Sequence, residues 1–276
     1  TSKQLRNQKE ELRSTMNFKS FKIAILIGLC WTLFSGGIAV YAAAGDEESE
    51  IGREVVALYL GAAPLINDKK ILEYVNTLGQ HIVSFVPKSE QNRDWRFGVI
   101  ESSGVNAFAA PGGYILITRG LLNLTETEDQ LAFILAHEIS HVVKRHHLKV
   151  IQKQKQMSRL LSKMQSNMKE SNELFQDLSG VYRDFATKGL DKNAEHEADL
   201  DGSLLAARAG FNLMSGQELL FILSEFYRDG NEAQLFFKTH PHPLSRVDKL
   251  SESLPTQIEK FAVDSNPSSG YRDLKR

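Results

Sequence analysis

Apolar and polar residues alternate along this chain in a few distinct patterns, and each pattern predicts an element. Ile23 to Ala44 is an uncharged, mostly apolar run. Trp95–Ile100 (WRFGVI) and Tyr114–Thr118 (YILIT) are short β-rich runs that read as strands, with Pro111-Gly112-Gly113 marking a turn between segments. Leu131, Ile134, Leu135, Ile139 and Val142 recur at helical spacing and predict an apolar-striped helix. Thr125-Glu126-Thr127-Glu128 has the T-x-x-E form of a capping box at its start, with acidic residues in the first turn. Lys144, Arg145, His146 and His147 follow near its end, where positive charge suits the helix dipole. Residues 148–190 are rich in Gln, Lys, Met and Ser, with helical spacing in Met157, Leu160, Leu161 and Met164. They read either as a mobile lid over a cleft or as a helical hairpin in which Met fills an uneven core. From residue 255 to 276 the sequence is polar and reads as a partly disordered tail.

The N-terminal pattern bears on compartment. Met16 to Lys22 is a short basic region, and the apolar run after it ends in Ala42-Ala43-Ala44 before an acidic stretch. That is the form of a secretory signal over residues 16–44 with an A-x-A cleavage site. An uncleaved anchor is the rival, because 22 residues can just span a bilayer. Residues 1–15 are a polar upstream extension that suggests nothing else. Cys30 is the only cysteine and lies inside the apolar run, so the remainder has no disulfide and no thiol chemistry. Residues 45–254 are one domain's worth of sequence, and 42% hydrophobic residues suffice for a substantial core. A net charge of −1 without a basic aromatic motif argues against nucleic acid.

Candidate chemistry sits on the predicted helices. His137-Glu138-Ile139-Ser140-His141 reads H-E-x-x-H. Histidines four apart on a helix point the same way, so two imidazoles can grip one metal ion, while the intervening glutamate can reach a water on that metal. A catalytic zinc needs a third protein ligand and an open position. Glu195-His196-Glu197-Ala198-Asp199 lies 54 residues beyond His141. Glu195 and Asp199 share a helix face, so Glu195 is the candidate third ligand and Asp199 the candidate acceptor for the outer N–H of a ligand histidine. Glu197 is the competing ligand, pointing about 200° away around a helix. Gly202 and Ala206 continue the Glu195 face with small side chains, allowing close approach of the two helices.

H-E-x-x-H followed by E-x-x-A-D resembles the gluzincin metallopeptidases of the HtpX and CAAX-prenyl-endopeptidase type, and most nearly their soluble periplasmic BepA-like branch. The resemblance spans roughly residues 51–251. It includes Asp68–Gln80 (DKKILEYVNTLGQ), Val105–Leu122 (VNAFAAPGGYILITRGLL), and Thr239-His240-Pro241 followed by Arg246. It implies an α+β, mainly helical, zincin-like domain. One helix would carry HExxH and a second ExxAD, beside a small β-sheet with an exposed edge strand. It also implies one zinc ion per chain on His137, His141 and Glu195, Glu138 as general base, and Asp199 orienting a ligand histidine. His240 or Arg246 would stabilise the oxyanion, or His240 would be a fourth zinc ligand that holds the enzyme off. Asn106, Ala107, Phe108 and Ala109 would form the edge strand that binds an extended substrate, although a plain core hairpin is the other reading of that segment.

The implied activity is a zinc metalloendopeptidase acting on unfolded or misassembled envelope proteins, exported to the periplasm or cell envelope of a bacterium. It implies outer-membrane assembly machinery as a partner and at most peripheral association with a membrane. The alternative is an assembly chaperone whose zinc is locked.

Overall fold

A computed structural model describes residues 47–164, 190–228, 239–240 and 243–264. Residues 47–62 form helix α1. Then come α2 (Lys69–Val83), α3 (Lys88–Gln91), β1 (Arg96–Ile100), β2 (Ala107–Ala110), β3 (Tyr114–Thr118), α4 (Arg119–Leu124), α5 (Glu128–Val143) and α6 (His146–Met164). After the second described stretch begins, α7 (Lys192–Arg208), α8 (Ser215–Arg228) and α9 (Pro243–Asp264) complete the order. The chain is mainly helical with one small sheet, as the family resemblance implies. The signal or anchor expected over residues 16–44 lies outside the described residues, as does the part of the lid or hairpin over 165–189. Among the described residues no helix is long and apolar enough to cross a membrane.

The sheet has the order β1-β3-β2, with β1 parallel to β3 and β2 antiparallel to it. The Pro111-Gly112-Gly113 turn joins β2 to β3, and both glycines adopt positive φ (85° and 107°), which only glycine does at little cost. β2 is therefore an edge strand. Its side chains are nonetheless mostly covered: Ala107, Ala109 and Ala110 are buried, and the ring of Phe108 packs 4.1 Å from that of Tyr59 on α1. α1 lies outside the elements that the sequence pattern predicts. Asp68 caps α2 by accepting from the amides of Lys70 and Ile71.

α5 is the central element. Every residue from Gln130 to Val142 is buried, which is the behaviour of a helix enclosed on all sides rather than of a one-sided stripe. Its N-cap is Thr127, two residues later than the T-x-x-E pattern suggested. The Thr127 hydroxyl accepts from the Gln130 amide, and the Gln130 side chain accepts from the Glu126 amide. Its end also differs: α5 stops at Val143, and Arg145 takes φ 55°. This reversal carries His146 and His147 into α6 rather than leaving them as cations on the last turn of α5.

α7 packs against α5 through Glu195, Ala198, Asp199, Gly202 and Ala206, all buried. A Cβ on Gly202 would lie 2.9 Å from the backbone N and Cα of His137, so only glycine allows this approach. α9 runs through Pro255 to Asp264, so the segment expected as a disordered tail begins as helix.

Candidate metal centre

Because His137 and His141 lie one turn apart on α5, their rings meet, with Nε2 atoms 3.0 Å from one another. α7 brings Glu195 against both: Oε1 lies 3.5 Å from His141 Nε2, and Oε2 lies 3.7 Å from His137 Nε2. His240 joins from the segment before α9, with Nδ1 2.8 Å from Glu195 Oε2 and Nε2 4.0 Å from Glu138 Oε1. One ligand-type atom from each of His137, His141, Glu195 and His240 lies within 4.8 Å of the others, and all four residues are buried.

The donor set suits a divalent metal. Glu195 Oε1 and Glu138 Oε2 are buried without a hydrogen-bond partner, an arrangement that is costly unless something else satisfies them. Imidazole nitrogens with one carboxylate are the ligands zinc favours. Sequence spacing offered Glu195 and Glu197 as competitors, and the structure separates them. Glu195 faces the histidines, whereas Glu197 is half exposed and bound by Lys144 at 2.8 Å and His146 at 3.2 Å.

Behind the cluster, Asp199 Oδ1 lies 3.1 Å from His137 Nδ1. Arg246 donates to both oxygens of Asp199, from Nε at 2.8 Å and from the second guanidinium nitrogen at 2.5 Å. A third guanidinium nitrogen is 3.5 Å from Glu195 Oε2. Burial alone would raise the Glu195 carboxyl, but His240 and Arg246 outweigh it and hold the group down at about 2. Asp199 is likewise held far below the carboxylate range, because Arg246 and His137 outweigh burial. Glu138 goes the other way: burial raises it, and the neighbouring His240 and His137 only partly offset this. The two groups thus divide into a charged carboxylate and a carboxyl of enhanced basicity.

Ala107, Phe108 and Ala109 of β2 line one small cavity with Glu138, His147 and His240. Asn106 is fully buried at the strand's start, where its Oδ1 accepts from the Ala107 amide and from the Thr239 hydroxyl. Sequence reasoning missed two histidines here. His147 lines this cavity, and desolvation pushes it down to about 3, so it is neutral. His146 Nδ1 lies 2.9 Å from His141 Nδ1. No local signal marked either, because their positions follow from the Arg145 reversal.

A family model described as Peptidase family M48 matches residues 72–254. The chain is 30% identical over 210 residues to the beta-barrel assembly-enhancing protease of Escherichia coli (strain K12), covering 73% of this chain and 42% of that protein. It is 26% identical over 216 residues to a putative beta-barrel assembly-enhancing protease of Vibrio cholerae, covering 75% and 44%. It is also 29% identical over 194 residues to the mitochondrial metalloendopeptidase OMA1 of Schizosaccharomyces pombe, covering 69% and 56%. The chain thus spans only about half, or less, of the length of these curated relatives.

Proposed function

The chain belongs to peptidase family M48, and from that membership we propose that it is a zinc-dependent metalloendopeptidase that hydrolyses peptide bonds in unfolded or misassembled cell-envelope proteins. The buried juxtaposition of His137, His141 and Glu195 with Glu138 beside them carries the reading. His137, His141 and Glu195 hold one zinc per chain. When bound, zinc lowers the pKa of water to about 7 and polarises the scissile carbonyl. Glu138 takes the proton of the attacking water and passes it to the leaving amine. Its raised carboxyl suits both halves of that task. Asp199, with Oδ1 3.1 Å from His137 Nδ1, is the acceptor placed to fix that ring. Arg246, committed to Asp199 through two of its nitrogens, supports this pair from behind, which leaves His240 as the better placed group to stabilise the oxyanion.

Substrate enters as an extended chain along Asn106 to Ala109, where main-chain pairing selects for unfolded polypeptide more than for sequence. The names of the bacterial relatives favour a role near outer-membrane assembly, and the pattern of residues 16–44 favours export to the envelope with, at most, peripheral membrane association.

A second reading has its own support. His240 sits 2.8 Å from Glu195, close enough to the other ligands to complete a four-residue cage. A cage of that kind would leave no open position, and the protein would then act as a chaperone that holds extended chains with little proteolysis.

Casein degradation by the zinc-loaded protein, compared with Glu138→Gln at equal zinc content, separates the two. The protease reading expects cleavage by the wild type and a loss of about 100- to 10,000-fold in the variant. If neither cleaves while each holds one zinc, the cage reading stands, and His240→Ala is expected to release activity.

A further inference from the structure

The two histidines of the H-E-x-x-H helix are supported in different ways. The outer nitrogen of His137 faces Asp199, a buried carboxylate gripped by Arg246. The outer nitrogen of His141 faces a second imidazole instead. We propose that His146, backed by Glu197, is a positioning residue that sets the tautomer and ring orientation of His141, so that a histidine–glutamate pair supports the second ligand as Asp199 supports the first.

With His141 Nε2 reserved for the metal, the chain of contacts gives each proton one place. His141 turns Nε2 toward the cluster, 3.0 Å from His137 Nε2 and 3.5 Å from Glu195 Oε1. A lone pair on that nitrogen requires the proton to sit on Nδ1. His141 Nδ1–H then donates to His146 Nδ1 at 2.9 Å. His146 must in turn carry its proton on Nε2, which donates to Glu197 Oε2 at 3.2 Å. Lys144 holds the other oxygen of Glu197 at 2.8 Å and also binds Asp201 at 2.8 Å. His141 is fully buried and His146 nearly so, so water does not compete for the inner link. The relay also ties the end of α5 to α7 two residues beyond Glu195, and so fastens both ligand-bearing helices at one point.

The backbone is bent to make this contact. Arg145 is the only non-glycine residue with positive φ among the described residues, and such a conformation is uncommon for a side chain of this size. Its guanidinium is held by Glu48 Oε2 at 3.3 Å and by Glu90 Oε1 at 3.6 Å. The reversal swings His146 back beneath His141, where a continuing helix would have placed it on another face. Local strain kept in place beside a candidate site is the form that positional constraint takes.

This inference rests on the metal-site reading above, and its test separates the two. Zinc affinity is measured on the full chain by competition with a chromogenic chelator, beside the thermal unfolding of the metal-free protein. His146→Leu is expected to weaken zinc binding about 10- to 100-fold. His146→Asn, whose amide oxygen can stand where Nδ1 stands, is expected to recover most of that loss. Glu197→Ala, at a half-exposed position, is expected to weaken binding several-fold with little effect on metal-free unfolding, and so reads the relay even where the leucine variant folds poorly. Long-range 1H–15N spectra of the zinc-loaded wild type should show His141 protonated at Nδ1 and His146 at Nε2. Leucine and asparagine variants equally weak, or either histidine in the opposite tautomer, would overturn the assignment while leaving the metal site intact. A wild type that binds no zinc would overturn both readings.

Discussion

Glu195 and Glu138 are buried within a few ångströms of the same histidines, yet their surroundings push them apart. Glu195 accepts from His240 and lies near Arg246, and the charged form wins despite burial. Glu138 has fewer compensating partners, and burial wins. A carboxyl lowered to about 2 from an ordinary 4.5 contributes stability that is fully present above 4.5 and is lost as pH falls toward about 2. Asp199, lowered in the same direction, adds to that loss. Acid titration of the metal-free protein, followed by circular dichroism, should therefore show stability falling through this window, with a shallower fall in Glu195→Gln. Arg246 is the other decisive residue, because removing it leaves Asp199 as an uncompensated buried charge. Arg246→Met should cost about 3–5 kcal/mol in urea unfolding. A cost below about 1 kcal/mol would mean that Asp199 is neutral in the fold.

Among the elements, α5 and α7 make the site, and their separation is set by Gly202. Because a Cβ there meets the His137 backbone rather than a yielding side chain, the helices must move apart to admit it. Gly202→Ala should destabilise the fold by about 1–3 kcal/mol and loosen metal retention, both read by urea unfolding with and without added zinc. The apolar period of α5 and the small-residue face of α7 were legible in the sequence because helical spacing is a local property. The N-cap was legible only approximately. The T-x-x-E pattern begins at Thr125, whereas the cap is Thr127, whose hydroxyl reaches the Gln130 amide. Thr127→Ala should cost about 1 kcal/mol in thermal unfolding.

For the molecule as a whole, the cluster joins α5, α7 and the segment before α9, parts of the chain that are far apart in sequence. A metal that binds only this assembled state stabilises it by mass action, by about 2.7 kcal/mol at one hundred times the dissociation constant. Chelation should therefore lower the melting temperature, and zinc should restore it; an unchanged melting temperature would argue against metal binding at the cluster. The sequence by itself determined the helical pairing of His137 with His141, the common face of Glu195, Asp199, Gly202 and Ala206, and the two β-rich runs that form β1 and β3. Each depends on residues a few positions apart, within the reach of one helical or strand period. Tertiary structure alone decided the rest: that Glu195 and not Glu197 meets His137 and His141, that Arg246 grips Asp199, that Tyr59 of α1 packs on Phe108 of the edge strand, and that His146 lies against His141. Those outcomes depend on the direction in which a helix faces its neighbour and on one left-handed residue that turns the chain back. No periodicity in the sequence encodes either.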